Sequence, residues 1–176
     1  EVLRTLGSIE FEHRRAAIAR MQLDTEVARI VQQVGHPHAQ RLHQLAAPLG
    51  LKLYIFDAYR PPAAQWALWN HLPNPDFIAD PRRGSPHGRG VAVDLTLATP
   101  DGRKLDMGTG FDAITPLSYH ADTAVSPDAQ RNRLLLLGIM SAAGFDFYSK
   151  EWWHYQLFQA RTYPLIDDGA MAPAMM

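Results

Sequence analysis

The sequence predicts an α+β fold with a mostly antiparallel central sheet flanked by helices. Three observations carry that expectation. The order of elements reads helices, strand, helix, strand, helix and two strands, and not the regular alternation of a parallel α/β sheet. The two last strand-like runs follow each other closely enough to pair. No internal repeat, low-complexity linker or composition break divides the chain, so its 176 residues are expected to form a single domain, 1–176.

In chain order, residues 1–50 look helical and carry no chemistry that their pattern names. Asp24-Thr25-Glu26 opens a segment in which Val27, Ile30, Val31 and Val34 recur at helical spacing up to Gly35. A second helix is expected from His38 to Ala47, ending before Pro48. His13, His36, His38 and His43 are read as ordinary surface or turn histidines. Leu51-Lys52-Leu53-Tyr54-Ile55-Phe56 alternates and is rich in β-formers, which predicts a strand. Pro61 or Pro62 starts a helix over Ala63–His71, whose Trp66 and Trp69 lie three apart and are expected to pack on the core.

Residues Leu72–Gly90 are loop-like, punctuated by Pro73, Pro75, Pro81, Gly84, Pro86, Gly88 and Gly90. Val91–Leu97 is apolar and β-rich, hence a buried strand. Pro100-Asp101-Gly102 is a turn, and Gly108 and Gly110 allow close backbone approach. Ser126-Pro127-Asp128 supplies an N-cap, a proline at the first position and an acid in the first turn of a helix. That helix is expected to run to Gly144, buried on most sides because Leu134–Leu137 is continuously apolar. Phe145–Tyr148 and Trp153–Phe158 are the closing strand pair, followed by a frayed tail beyond Pro164.

The chemistry lies in two stretches, Ser85-Pro86-His87-Gly88-Arg89-Gly90-Val91-Ala92-Val93-Asp94 and Lys150-Glu151-Trp152-Trp153-His154-Tyr155. A catalytic zinc takes three ligands from histidine and carboxylate and leaves a position open for water. His87, Asp94 and His154 supply that set, one Zn2+ per chain, and Glu151 remains as the base. With two neutral imidazoles and one carboxylate the site keeps about one positive charge, enough to bring bound water from a pKa of ~15.7 towards ~7. Glu151 and His154 are three apart, so they share a side only in a helical turn or bend near Ser149–Trp152. Arg60, at the end of its strand and held extended by Pro61, suits an oxyanion donor. It suits equally an ion pair with Asp57.

Composition bounds the alternatives. Apolar residues make up 47% of the chain and charged ones 20%, as in an ordinary globular protein. A formal charge of −1 and a pI near 6.8 give no basic footprint for nucleic acid or anionic membrane. There is no cysteine, which excludes disulfides and thiolate zinc sites. No stretch of about 18 apolar residues exists to span a bilayer. Glu1-Val2-Leu3-Arg4 makes no signal peptide, so the expected compartment is cytoplasm rather than periplasm; with no initiating Met, a removed leader stays open.

Five motifs occur together: Asp-x-Tyr-Arg-Pro (Asp57–Pro61), Ser-x-His-x-x-Gly-x-Ala-x-Asp (Ser85–Asp94), Met-Gly-x-x-Phe-Asp (Met107–Asp112), Gln130-Arg131-Asn132-Arg133-Leu134 and Glu-Trp-Trp-His-Tyr (Glu151–Tyr155). In this order, over about residues 51–160, they resemble the zinc-dependent D-alanyl-D-alanine dipeptidases of the VanX type. The resemblance implies hydrolysis of free D-Ala-D-Ala, with His87, Asp94 and His154 on zinc, Glu151 as general base and Arg60 stabilising the tetrahedral intermediate. It further implies that Ser85 and Asp112 line the substrate pocket, a hydroxyl for the carboxylate or carbonyl and a carboxylate for the free ammonium. Residues 1–50 do not match the aromatic leading segment that helps close the family's small pocket. The alternatives are therefore a D,D-carboxypeptidase or peptidoglycan endopeptidase acting on longer peptides, or a non-catalytic zinc-binding module such as the Hedgehog signalling domain carries. Oligomeric state has no signature in the chain.

Overall fold

The computed structural model describes residues 36–166. The helix expected from Asp24 to Gly35 lies outside them, as does most of the tail. Helix α1 (His36–Ala46) runs into a 3-10 turn, Ala47–Leu49, and strand β1 (Lys52–Asp57) leads to helix α2 (Pro62–His71). After the long loop come β2 (Ala92–Ala98), α3 (Pro127–Ala142), β3 (Phe145–Phe147) and β4 (His154–Leu157). The four strands form one sheet in the order β1-β2-β4-β3, antiparallel throughout. The α+β expectation is met. Among the described residues no helix is long and apolar enough to cross a membrane.

Strand β2 is central, and all seven of its residues are buried. Successive side chains on a strand point to opposite faces. Val93, Leu95 and Leu97 accordingly join Leu136, Ile139 and Met140 of α3 and Phe145, Tyr155 and Leu157 in the core. Asp94 and Thr96 point to the other face, which is where the candidate site lies. Register puts three polar residues on one rung, because Asp57 pairs with Asp94 and Asp94 with His154. A bulge between Ile55 and Asp57 shifts β1 at that rung and re-aims its end.

Helix α3 starts where the sequence places it. Ser126 Oγ accepts from Ala129 N at 3.1 Å, and Pro127 occupies the first turn. Its end comes at Ala142, and Gly144 with φ +93° turns the chain into β3. The leucine run is not buried on most sides, for Leu134 is 61% exposed and of the four only Leu136 is fully buried. A helix turns about 100° per residue, so four consecutive leucines sweep the circumference while the buried stripe follows Ala129, Arg133, Leu136, Ile139 and Met140.

The tryptophans of α2 also differ from expectation. Trp66 is 43% exposed and Trp69 only half-buried, while Gln65 is the one buried residue of that helix. The cause is polar: the Gln65 amide bridges two groups beneath the helix, and the same rotation carries the next side chain outward.

Candidate metal centre

Each candidate ligand is delivered by a different device. His87 opens the 3-10 turn His87–Arg89, which Gly90 closes with φ +65°, so the loop reverses and enters β2 within a few residues. Asp94 is fixed in the middle of that strand. His154 opens β4, and the bend that the sequence required before it is present: Glu151 N donates to Tyr148 O at 3.2 Å and His154 N to Glu151 O at 3.4 Å. This turn brings Glu151 and His154 to one side.

The resulting cluster is tight and buried. His87, Asp94 and His154 each offer a ligand atom, all within 4.8 Å of one another, and all three are buried. His87 Nε2 lies 3.2 Å from His154 Nδ1 and 3.4 Å from Asp94 Oδ1, and His154 Nδ1 lies 3.0 Å from the same oxygen. The outer nitrogens are engaged elsewhere. His87 Nδ1 is 2.7 Å from Ala58 O, and His154 Nε2 is 3.3 Å from Gln156 Oε1. Both outer partners are acceptors, which assigns a hydrogen to each outer nitrogen and leaves lone pairs on the inner two. Two lone pairs and a carboxylate then converge with no hydrogen between them. A cation is what such a donor set fits, and the outer carbonyl and amide are the usual supports of a ligating imidazole.

Asp94 is pulled in two directions. Burial opposes its ionisation, but in the metal-free protein, once protons occupy the inner nitrogens in place of a metal, the His87 charge and hydrogen bonds from His154 and His87 outweigh this and hold its carboxyl well below the usual range. Glu151 goes the other way. Burial pushes its carboxyl up to about 7, reinforced by Asp94 and opposed by His154 and Arg60. Its Oε2 is 3.9 Å from His154 Nδ1. A carboxylate poised near neutrality can both take and return a proton.

Arg60 shows both of the features its sequence position allowed. Its Nε donates to Asp57 Oδ2 at 2.7 Å and its Nη2 lies 2.5 Å from the same oxygen, while Nη2 is also 3.5 Å from Asp94 Oδ2. The remaining arm, Nη1, donates to Gln65 Oε1 at 3.0 Å. Burial works against the charge, but Asp57 and Asp94 more than offset it, so the guanidinium stays above its ordinary value.

One cleft of about 720 Å³ is lined by Arg60, Ser85, His87, Asp94, Asp112, Glu151 and His154 together. Ser85 is buried, and its Oγ accepts from Gly88 N at 2.9 Å, so it also caps the turn that carries His87. Asp112 sits at φ +57°, a left-handed conformation that aspartate tolerates. Sequence reasoning did not single out Gln65, Gln156 or Tyr148, all on the same cleft or holding its residues. Gln156 stands two residues after a candidate ligand on the same strand, a spacing that could have drawn attention; Gln65 and Tyr148 had no such signal.

Fold and site thus define an α+β scaffold with a candidate single-metal centre of two histidines and an aspartate on the open face of its sheet. A family model described as D-ala-D-ala dipeptidase matches residues 14–170, and the chain belongs to that family. It is similar to the D-alanyl-D-alanine dipeptidase of Escherichia coli, with 51% identity over 119 residues, 68% of this chain and 62% of that protein. It is likewise similar to those of Enterococcus faecium, at 38% over 133 residues covering 65% of this chain and 66% of the relative, and Enterococcus faecalis, at 34% over 159 residues covering 79% and 78%. The chain thus matches under two thirds of the length of the first two relatives.

Proposed function

We propose that this chain is a zinc-dependent dipeptidase that hydrolyses D-Ala-D-Ala to two D-alanines. The observation that carries the reading is the convergence of three buried acceptor atoms beside a carboxylate whose pKa is raised to about 7. Membership of a family described as D-ala-D-ala dipeptidase supports the substrate. His87, Asp94 and His154 hold the metal. Imidazole and carboxylate without thiolate suit zinc in a catalytic rather than a structural role.

Zinc bound there supplies a Lewis acid that polarises the peptide carbonyl and lowers the pKa of water. Glu151 takes the proton of the attacking water and passes it to the leaving amine. Arg60, locked by Asp57 and Gln65, presents a fixed positive charge where the tetrahedral oxyanion develops. Asp112 accepts the substrate ammonium, and Ser85 binds its carboxylate or carbonyl.

The test is D-alanine release by the zinc-loaded protein from free D-Ala-D-Ala and from an N-acylated peptide ending in D-Ala-D-Ala, with Glu151→Ala as control. Cleavage of the free dipeptide alone is expected. Cleavage of the acylated peptide instead would make the protein a carboxypeptidase, and cleavage of neither with zinc bound would overturn the reading.

A further inference from the structure

The cleft has a wall that neighbours of the proposed catalytic residues hold in place. Segment Asn74–Ala79 leaves the end of α2 as a compact turn, in which Phe77 N and Ile78 N both donate to Asn74 O, at 3.1 and 2.8 Å, and Asp76 N donates to Asn74 Oδ1 at 3.0 Å. Asp76, Phe77, Ile78 and Ala79 all line the cleft. At one end the wall is tied to the bend that carries Glu151: Tyr148 Oη donates to Asp76 O at 2.9 Å, and Lys150 Nζ reaches Asp76 Oδ1 at 2.6 Å. At the other end buried Gln65 donates through Nε2 to Ala79 O at 2.7 Å while its Oε1 accepts from Arg60. The four residues 76–79 therefore bridge the two elements that carry the proposed base and the proposed oxyanion donor.

We propose that Asp76–Ala79 is the length-restricting wall of the substrate cleft, and that Tyr148 and Lys150 are its positioning residues. This rests on the dipeptidase reading and specifies how the cleft admits a dipeptide and excludes a longer chain. A segment without regular structure is held by such bonds, here together with the contact of Phe77 with the Tyr119 ring at 6.2 Å between centroids. Two of the bonds converge on Asp76 from residues that flank Glu151 at distances of one and three positions. An exposed ion pair contributes little by itself, but here a phenol bound to the backbone of the same residue fixes the geometry. Wall position and base position are thereby coupled, and a substrate that pushed the wall out would disturb the bend.

The double variant Tyr148→Phe/Lys150→Met removes both ties and leaves the metal ligands, Glu151 and Arg60 in place. Steady-state kinetics on D-Ala-D-Ala and on N-acetyl-D-Ala-D-Ala should show KM for the free dipeptide rising about tenfold with kcat within about threefold. The ratio of kcat/KM for the acetylated over the free substrate should rise by at least about tenfold. Amide hydrogen exchange in the metal-free protein gives a readout independent of turnover, and the amides of Phe77 and Ile78 should exchange faster by about tenfold or more while those of β2 do not change. Unchanged exchange at these amides, or an unchanged substrate ratio in an active enzyme, would overturn the proposal. If the parent cleaves neither substrate, the dipeptidase reading fails; the length restriction then fails with it, and exchange alone decides whether the ties hold the segment. Lys150→Arg alone, which keeps a cation in reach of Asp76, should keep most of the parental ratio.

Discussion

At the scale of single residues the site is built from opposed environments. Asp94 and Glu151 are both buried carboxyls near the same histidines, yet in the metal-free protein one is pushed down and the other up, because the imidazoles, when protonated on their inner nitrogens, bond to Asp94 directly whereas Glu151 stands 3.9 Å from the nearer one. On the proposed mechanism, Glu151→Ala should retain zinc at one per chain and lose about 10²–10⁴-fold in kcat, the usual worth of a general base. Metal analysis and D-alanine release on the same sample check this, and near-parental turnover would remove Glu151 from the role. Arg60→Lys should cost about 10²–10³-fold in kcat. An ammonium cannot keep the contacts of Nε and Nη2 with Asp57 together with that of Nη1 with Gln65, so charge survives and placement is lost.

At the scale of elements, much was legible because alternation, caps and turn residues are local. The buried strand around Asp94, the Ser126 cap and the closing strand pair stand where their patterns put them. The candidate metal set, whose ligand atoms the fold brings within 4.8 Å of one another, stood out for a different reason: few residue types serve as ligands, and the motif spacing marks them. Rotation of a helix about its axis is not local. Trp66 faces outward because Gln65 has partners on both sides of the helix in sequence, Arg60 before it and Ala79 after it, and nothing within α2 announces them. Arg133 is a second case. It belongs to a motif the sequence displays, but its work shows only in three dimensions, where it donates to Met107 O, Tyr119 O and Leu117 O at 2.7, 3.1 and 2.8 Å. The loop so clamped carries Asp112, and Ser118 O in turn accepts from Trp152 N, next to Glu151. Arg133→Met should leave three carbonyls short of a donor and destabilise the fold by about 2–5 kcal/mol. Denaturant unfolding measures it, and a loss below about 0.5 kcal/mol, the size of an ordinary surface change, would contradict the clamp.

At the scale of the whole molecule, the balance of buried titrating groups sets how stability responds to acid. His120 is half-buried with its Nε2 enclosed, and burial lowers its pKa to about 4, helped by Arg133 and weakly opposed by the backbone of Glu151. Unfolded, it titrates near 6.5. Between those values the unfolded chain binds the proton and the folded one does not, so His120 makes stability fall as pH drops from about 6.5 to 4, by at most about 3 kcal/mol. Glu151 has the opposite sign. Its folded pKa of about 7 lies above the ordinary 4.5, so the folded state binds the proton first and gains stability as pH falls from 7 to 4.5. In chelator-treated protein the two slopes oppose each other over their shared window, and urea midpoints between pH 6.5 and 4.5 should change little. His120→Gln removes one slope and leaves stability rising on acidification through that window; Glu151→Gln removes the other and leaves it falling. Parallel profiles for the two variants would show that neither group carries the linkage, whereas slopes of opposite sign would locate both sides of the balance, one beside Tyr155 and one in the cleft.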